Sequence, residues 1–245
     1  MCPWPMDDWL HPVREALDAA VAPVDVFFRD DDAGWRNGRL LDLLDAFADR
    51  CVVVDVAVIP AALEPWLAGE LRDRVELGEV RLHQHGYAHV NHEPAGRKSE
   101  FGPFRRRVAQ AGDIAAGRER LGELLDDVVD PIFTPPWNRC TAETGACLAE
   151  LGFAALSRES RAAPLGIAGL RELPVHVDWV RLPPTREGLG ARLADAFRRG
   201  VPAGVMVHHA VMDHADLRRA GELLTLVADH PRAQPSTMAS LLGLA

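Results

Sequence analysis

Apolar residues follow two alternating patterns along the 245 residues of the chain. Segments with apolar residues three or four positions apart predict amphipathic helices. These segments cover residues 6–20, 39–50, 64–75, 104–128, 141–151, 187–200, 213–229 and 235–242. Short β-branched or continuously apolar runs lie between them and predict strands. The runs are residues 24–30, 51–60, 80–83, 130–134, 153–157, 173–179 and 201–209.

The alternation of strands and helices predicts an α/β protein. The run at residues 51–60 is apolar almost throughout, which is typical of a parallel strand that helices cover on both faces. About seven such strands favour a closed or nearly closed barrel. Nothing in the pattern requires a division of the chain, so we predict a single domain over residues 1–245.

Polar side chains gather where the predicted strands end. The clusters are residues 30–32, 83–92, 135–139, 176–179 and 208–209. In β/α barrels the active site lies at the carboxyl ends of the strands. A predicted loop over residues 86–104, rich in histidine, glycine, proline and charge, overlaps the second cluster, and loops of this length are usually functional or mobile. The pattern therefore predicts one site built from several strand ends.

The first cluster consists of three consecutive carboxylates, Asp30, Asp31 and Asp32, with Gly34 after them. Like charges at one strand end repel each other, so stability alone gives little reason to place them there. A divalent cation would offset the repulsion, and one carboxylate could serve as a base beside another that binds the metal. The alternative is a solvated turn in which Asp32 caps the next helix.

Four of the ten histidines lie in the second cluster, at His83, His85, His89 and His92. On a helical turn His85 and His89, four residues apart, would present both imidazoles on one face and could bind one ion. Neutral imidazole is a common ligand of zinc and related metals. With one aspartate, the pair would leave coordination positions open, as catalytic metal sites do. The alternative is a set of partly buried, hydrogen-bonded histidines.

Residues 133–139, Phe-Thr-Pro-Pro-Trp-Asn-Arg, follow another predicted strand. The two prolines fix the backbone and would present Trp137 outward. An exposed indole suits stacking on a sugar ring, and Asn138 and Arg139 suit polar groups around that ring. The alternative is a turn closed by a core tryptophan.

Two further strand ends carry histidine. His176 and Asp178 share one strand face, either as an ordinary hydrogen-bonded pair or as a device that orients a catalytic histidine. His208 and His209 end an apolar strand and point to opposite faces. Only one of these two is expected in the site, where a histidine kept protonated by a carboxylate could act as a general acid.

Composition narrows the function classes. The net charge of −9 argues against nucleic acid or an anionic membrane surface as partner. Lys98 is the only lysine and no Walker-type loop is present, which disfavours Schiff-base and phosphate-loop chemistry. The four scattered cysteines, Cys2 among them, and the lack of a secretory signal or of an apolar run of about 20 residues predict a soluble cytoplasmic protein.

Five short motifs together resemble the polysaccharide deacetylases of the NodB-homology type (carbohydrate esterase family 4). In the family's order they are Asp31-Asp32, HGYAH at 85–89, TPPW at 134–137, VDW at 177–179 and VMVH at 205–208. The resemblance implies a distorted (β/α)7 barrel that removes an acyl group, acetyl above all, from an N-acylated sugar or sugar precursor. It also implies a divalent ion, Zn²⁺ first, with Co²⁺, Ni²⁺ or Mn²⁺ as alternatives.

The same resemblance implies roles for single residues. The metal ligands would be Asp32, His85 and His89, and the catalytic base Asp31, with Asp30 as the alternative. The general acid would be His208 or His209, with Asp178 orienting it. Substrate contacts would come from Trp137, Asn138, Arg139 and His92.

The family's third motif normally begins with an arginine that orients the base; that position is Thr134 here, and Arg29 or Arg139 is the expected replacement.

Two alternative functions keep the barrel. A metal-dependent amidohydrolase could act on an amide that is not a sugar. A catalytically degenerate barrel could instead bind a carbohydrate through Trp137 and the 86–104 loop, and the threonine at position 134 favours this alternative. The expected partner is a small carbohydrate or amide in either case.

Overall fold

The computed structural model describes residues 8–244, and its strands form one sheet. Cys2 and the beginning of the helix predicted from residue 6 lie outside the described residues. The strands are β1 Val24–Ala33, β2 Val54–Val58, β3 Val80–His85, β4 Val129–Thr134, β5 Ala155–Leu156, β6 Arg171–Glu172, β7 Val177–Asp178, β8 Ala203–Val207 and β9 Ala233–Pro235. The helices are α1 His11–Asp18, α2 Asn37–Ala48, α3 Pro65–Glu76, α4 Arg107–Leu125, α5 Ala142–Glu150, α6 Ala191–Phe197, α7 His214–Asp229 and α8 Met238–Leu241.

Neighbouring strands are parallel throughout, in the order β6-β5-β4-β3-β2-β1-β8-β7, and β9 lies alongside the start of β1. The sheet curls into a half-barrel with helices packed on it. Parallel neighbours need crossover connections, which explains the helices between the strands. The predicted α/β class is therefore confirmed, and the carboxyl ends of all these strands lie at one edge of the sheet.

The structure departs from the predicted elements in three places. Strand β7 occupies only the end of the strand predicted over residues 173–179. Pro174, near the start of that range, has no N–H to donate to a neighbouring strand. Strands β6 and β9 are two and three residues long, too short to produce an apolar alternation in the sequence. Residues 86–106 contain no helix or strand. The long loop is thus confirmed, but the helical turn assumed for His85 and His89 is wrong.

Side chains of β1 alternate between an apolar outer face and an inner face that becomes polar along the strand. Val26 and Phe28 point outward into the main hydrophobic core. Phe27 points inward and packs in a smaller core with α8. Arg29 and Asp31 continue the inner face, and both side chains are buried. The interior is therefore apolar near the amino ends of the strands and charged near their carboxyl ends.

Two further findings bear on the predictions from composition. Among residues 8–244, no helix is long and apolar enough to cross a membrane, which would take about 20 apolar residues. Cys51, Cys140 and Cys147 are free thiols, in line with their scattered positions in the sequence.

A buried carboxyl on β2 gives the fold a pH-dependent stability. Asp55 is almost fully buried, and burial raises the pKa of its carboxyl to about 8. The charge of Asp130 adds to this effect, whereas the Met238 N–H, which donates to Oδ2 of Asp55 at 2.9 Å, opposes it. The folded protein thus keeps a proton that the unfolded chain releases near pH 4. The free energy of unfolding should therefore fall as the pH rises from about 4 to about 8.

Replacing Asp55 with asparagine should remove this contribution while keeping an acceptor for the Met238 N–H. Between pH 5 and pH 8, the wild type should lose about 3 kcal/mol of unfolding free energy relative to Asp55→Asn. Urea unfolding of both proteins at the two pH values measures the difference. If the two proteins respond to pH equally, Asp55 does not carry the buried proton.

Candidate active site and metal centre

One carboxylate and two imidazoles converge at the carboxyl edge of the barrel. Oδ1 of Asp32 lies 3.2 Å from Nε2 of His85 and 3.2 Å from Nε2 of His89. One ligand atom of each residue lies within 4.8 Å of the other two. Asp32 stands near the end of β1, His85 ends β3, and His89 lies in the loop that follows it. Two strand ends and one loop thus bring together the three residues expected to hold a metal.

The backbone at this point departs from regular conformations. Asp32 has a φ of 76°, and the β1–β2 register shifts between Asp30 and Ala33. The bulge turns the Asp32 carboxylate toward the histidines instead of leaving it opposite its neighbour on an extended strand. His89, Trp137 and Asn138 also have positive φ, so four of the seven described non-glycine residues in this region of φ lie at the site. Such strain concentrates at functional sites.

Hydrogen bonds orient His85 for binding an ion. Its Nδ1 donates to the backbone oxygen of Thr134 at 3.0 Å, which leaves Nε2 directed at Asp32. Metal-binding histidines usually donate their second nitrogen in this way. Burial lowers the pKa of His85, but the hydrogen bond and charge of Asp32 outweigh it and raise the pKa above the ordinary value. A mixed histidine and carboxylate set fits zinc and similar divalent ions.

Two tryptophans enclose His89. The ring centroids of Trp35 and His89 are 4.7 Å apart, and those of His89 and Trp137 are 4.3 Å apart. Trp137 is half-buried, so the outward presentation predicted for it is combined with packing against His89. Trp35 was not among the predicted site residues, because a single tryptophan in a turn gives no periodic signal.

A buried carboxylate fixes the loop between His85 and His89. Glu100 is fully buried and accepts hydrogen bonds from the backbone N–H groups of Tyr87 at 3.2 Å and Ala88 at 2.8 Å. It thereby holds the residues just before His89. The sequence offered no signal for this role beyond a charged residue in a loop.

Asp31 forms a buried ion pair with Arg29. Nε and Nη2 of Arg29 donate to the two carboxylate oxygens of Asp31 at 2.8 and 2.9 Å. Burial would raise the pKa of Asp31, but the charges of Arg29, His85 and His208 outweigh it and hold the pKa below the ordinary value. Thr134 stands at the position where the resemblance implies the orienting arginine, and its side chain contacts Nε2 of His83 at 2.9 Å. Of the two replacements expected for the missing arginine, Arg29 is the one that contacts Asp31.

Two oxygen acceptors and the Met206 sulfur also hold Arg29, and Arg139 lies elsewhere. Ser157 Oγ and Asn138 Oδ1 each accept a hydrogen bond from Arg29 at 2.8 Å. Asn138 is therefore buried against the arginine and supports it, although it was predicted as a substrate contact. Arg139 donates to the backbone oxygen of Lys98 at 2.8 Å and lines a neighbouring cavity.

The first aspartate of the triplet points away from the proposed metal ligands. Oδ2 of Asp30 lies 2.6 Å from Nδ1 of His209, whose Nε2 lies 2.7 Å from the backbone oxygen of Trp35. A carbonyl oxygen only accepts, so Nε2 donates to Trp35, and the charge of Asp30 favours a second proton on Nδ1, which is the imidazolium form. Burial opposes this form, but the charge and hydrogen bond of Asp30 raise the pKa of His209 above the ordinary value. Asp30 and His209 thus form a buried pair that supports Trp35.

His208 instead faces Asp31. Its Nε2 lies 3.9 Å from Oδ2 of Asp31, beyond hydrogen-bond distance. Among the described residues, Nδ1 of His208 and Oδ1 of Asp178 are both buried without a partner. Burial raises the pKa of Asp178, and the charges of His208 and Arg181 oppose this. Each of the two atoms is thus left available for a hydrogen bond, and the charge of His208 acts on the Asp178 carboxyl.

His92 lies apart from the other predicted site residues. A ring nitrogen of His92 and one oxygen each of Glu100 and Asp113 lie within 4.8 Å of one another. The backbone N–H of His92 donates to the backbone oxygen of Ser99 at 2.9 Å. Its role as a substrate contact stays a prediction.

No family model matches the sequence, and no curated protein matches it. Solved structures do match. A Mycobacterium smegmatis protein assigned as a polysaccharide deacetylase gives a TM-score of 0.64 at 18% identity, covering 91% of this chain and 93% of that one. A family 4 acetyl xylan esterase from Clostridium thermocellum, solved with a cobalt ion, gives a TM-score of 0.58 at 15% identity, covering 89% of this chain and 90% of that one. These TM-scores show a common fold, which confirms the barrel type that the five motifs implied.

A third match separates fold from activity. A CE4-family pseudoenzyme from Bacillus anthracis gives a TM-score of 0.60 at 13% identity, covering 91% of this chain and 66% of that one. The fold therefore occurs in a pseudoenzyme as well as in an esterase. Activity in this chain therefore depends on its own side chains.

Proposed function

We propose that this chain, whose fold is that of the polysaccharide deacetylases, is a metal-dependent hydrolase that removes an acyl group, acetyl in the first instance, from an N-acylated sugar or sugar precursor. One observation supports this above all others. The compact group of Asp32, His85 and His89 adjoins a carboxylate, Asp31, that Arg29 holds in a fixed orientation. The ion pair gives the carboxylate beside the proposed metal ligands a fixed orientation, which a general base requires.

The proposed ligands of the metal are Asp32, His85 and His89. A divalent ion bound there would polarise the amide carbonyl and favour ionisation of water. Zn²⁺ is the first choice because imidazole and carboxylate suit it, with Co²⁺, Ni²⁺ or Mn²⁺ as alternatives. Trp35 and Trp137 would keep His89 in place by packing against its ring.

Asp31 is the proposed general base. Its low pKa keeps it ionised at neutral pH, so it can accept a proton from the water that attacks the amide carbon. Arg29 restricts the carboxylate by two hydrogen bonds, which limits its orientations before the substrate arrives.

His208 is the proposed general acid, and Asp178 its positioning residue. The short separation of His208 and Asp31 lets both groups reach the same reacting amide. Water adds to the carbonyl carbon and the carbon–nitrogen bond breaks. His208 then gives a proton to the departing amine, while the acyl group leaves as a carboxylate. His209 cannot take this role, because both of its nitrogens are engaged with Asp30 and Trp35.

Activity and metal content test the proposal together. A panel of N-acetylated sugars and non-sugar amides, assayed for released amine with and without a chelator, should show chelator-sensitive hydrolysis of a sugar amide. Elemental analysis should find about one divalent ion per chain, and His85→Ala should lose most of it. The exposed His214 at the start of α7 provides the matched control, His214→Ala, which should retain the metal.

Three outcomes would count against parts of the proposal. Equal metal in wild type and His85→Ala would contradict the ligand assignment. Hydrolysis confined to non-sugar amides would favour the amidohydrolase alternative. Stoichiometric metal with no amine released from any compound would favour the degenerate barrel, which the threonine at position 134 also suggests.

Trp137 supplies a further prediction about the substrate. Trp137→Ala should lower kcat/KM by about 3–10-fold, because a stacking contact with a ring contributes roughly 0.5–1.5 kcal/mol. Trp137→Phe keeps an aromatic ring and should recover most of the loss. Steady-state kinetics and thermal unfolding of the three proteins measure these effects. A loss of stability with unchanged kinetics would make Trp137 a packing residue for His89 only.

A further inference from the structure

A cavity of about 360 Å³ beside the site carries a concentration of arginine. Five of its nine lining residues are arginines. They are Arg97, Arg139, Arg158, Arg161 and Arg181. The protein as a whole has a net charge of −9, so this cationic wall is a local feature that the overall composition does not explain.

Carboxylates compensate these arginines only in part. Glu159 is the only acidic residue of the lining, and it stands 3.9 Å from Arg97 and 3.7 Å from Arg181, both beyond hydrogen-bond distance. Arg158 pairs at 2.6 Å with Glu172, which does not line the cavity. The buried Nε of Arg158 has no partner among the described residues. A guanidinium N–H left without a protein acceptor in a buried position is a donor that a ligand in the cavity could satisfy.

Arg139 is also short of partners. Its Nε is buried and makes no hydrogen bond within the described residues, while one terminal nitrogen donates to a backbone oxygen. Burial lowers the pKa of Arg139, and the charges of Arg97 and Arg181 add to this. Several guanidinium groups are thus held close together, although like charges repel. A bound anion would offset that repulsion.

The cavity adjoins the proposed reacting groups. Asn138 lines it and accepts a hydrogen bond from the Nη2 atom of Arg29 that also donates to Asp31. At another point of its wall, Arg181 contacts Asp178 at 2.8 Å. A small substrate whose amide reached Asp31 could therefore place a second group in this cavity.

We infer that the substrate carries a phosphate monoester and that the arginine cavity binds it. The inference rests on the proposed function and narrows its substrate to a phosphorylated N-acyl amino sugar. A carboxylate is satisfied by the fork of a single arginine, whereas a phosphate monoester presents three oxygens and close to two negative charges. Several arginines around one small space suit the second group better.

A binding measurement tests the cavity without catalysis. Inorganic phosphate is titrated into chelator-treated protein at constant ionic strength, which removes binding to a metal and holds screening fixed. Wild type should bind phosphate, and Arg139→Gln and Arg161→Gln should each weaken binding about 10-fold, the usual effect of losing one charge-assisted contact. The exposed Arg218 on α7 gives the matched control, Arg218→Gln, which should bind as the wild type does. Absence of binding, or equal binding in all four proteins, would overturn the inference.

A kinetic measurement then tests the substrate class on the metal-loaded enzyme. N-acetylglucosamine 6-phosphate and 1-phosphate, free N-acetylglucosamine and a nucleoside-diphosphate-linked form are compared. At least one monoester should have a kcat/KM about 10-fold or more above the free sugar, and Arg139→Gln should abolish that preference. Equal rates for free and phosphorylated sugar, or a preference for the nucleotide-linked form, would overturn the monoester assignment while leaving the proposed hydrolase intact. Phosphate binding without hydrolysis of any amide would instead overturn the proposed function.

Discussion

Asp31→Asn is expected to lower kcat by about 10²–10⁴-fold, the usual effect of losing a positioned general base, and to keep the bound metal. Asp31 pairs with Arg29, whereas His85 and His89 both contact Asp32. Asp32→Asn should lose both metal and turnover, because its Oδ1 faces both imidazoles. Metal content and kcat, measured on the same preparations of both variants, give the comparison.

The stability of the Asp31 variant has to be measured alongside. Asp31→Asn leaves Arg29 without its counter-ion in a buried position, and breaking a buried pair in this way can cost about 3–5 kcal/mol. Thermal unfolding shows whether lost activity reflects unfolding. The assignment is wrong if Asp31→Asn sheds its metal and Asp32→Asn retains it.

Asp30 provides an internal comparison for the triplet. Its carboxylate is bonded to the ring and the backbone N–H of His209, so Asp30→Asn should act on stability and on the position of Trp35. A large loss of kcat in a folded, metal-bound Asp30→Asn protein would make Asp30 the base after all.

The sequence was sufficient to predict the class of fold and the edge of the barrel at which the site lies. Buried runs alternating with amphipathic segments specify parallel strands and crossover helices through hydrophobic burial, which is a property of many residues at once. For the same reason β6 and β9 were missed: they are held by backbone pairing with their neighbours and have no pattern of their own.

The details of the site depend on geometry that periodicity does not encode. The positive φ of Asp32 turns its carboxylate toward His85, which a regular extended strand would not do. Arg29 pairs with Asp31 within β1, and His209, just after β8, pairs with Asp30. Spacing alone left both Asp30 and Asp31 open as bases. Glu100 holds the histidine loop from 12 and 13 residues away, a distance at which sequence gives no register.

The cationic cavity was missed for a related reason. Arg97 and Arg139 lie in two different loops and Arg181 ends a short 3-10 helix, and in a chain with 27 basic residues no single arginine is conspicuous. Only the fold brings them around one space.

Arg29→Gln is expected to move the acidic limb of the pH–rate profile to higher pH and to lower kcat/KM at neutral pH by about 10²-fold. The charge of Arg29 is the largest of the effects that hold the pKa of Asp31 below its ordinary value against burial. Without it the pKa of Asp31 rises, so a larger fraction of the base is protonated at a given pH and the rate falls first at the acidic end. The lost orientation of the carboxylate adds to the fall.

Arg29→Lys separates charge from geometry. Lysine keeps the positive charge but cannot form the two parallel hydrogen bonds that Nε and Nη2 make with Asp31. The acidic limb should therefore stay close to that of the wild type while kcat falls. Both variants should lose stability, since the partners Ser157 and Asn138 also lose a donor.

A second-site exchange tests whether the arginine has been relocated within the barrel. Position 134 carries threonine where the resemblance implies the orienting arginine, and its side chain is fully buried beside His83. In the double variant Arg29→Thr with Thr134→Arg, the new arginine would start beside His83, on whose pKa the charges of Arg29 and Asp31 both act. Its kcat/KM and acidic limb should recover toward the wild type relative to Arg29→Thr alone, as the His85 contact uses the backbone oxygen of residue 134 and survives the exchange.

An Arg29→Gln protein with reduced stability but an unaltered pH profile would show that Arg29 supports the fold alone.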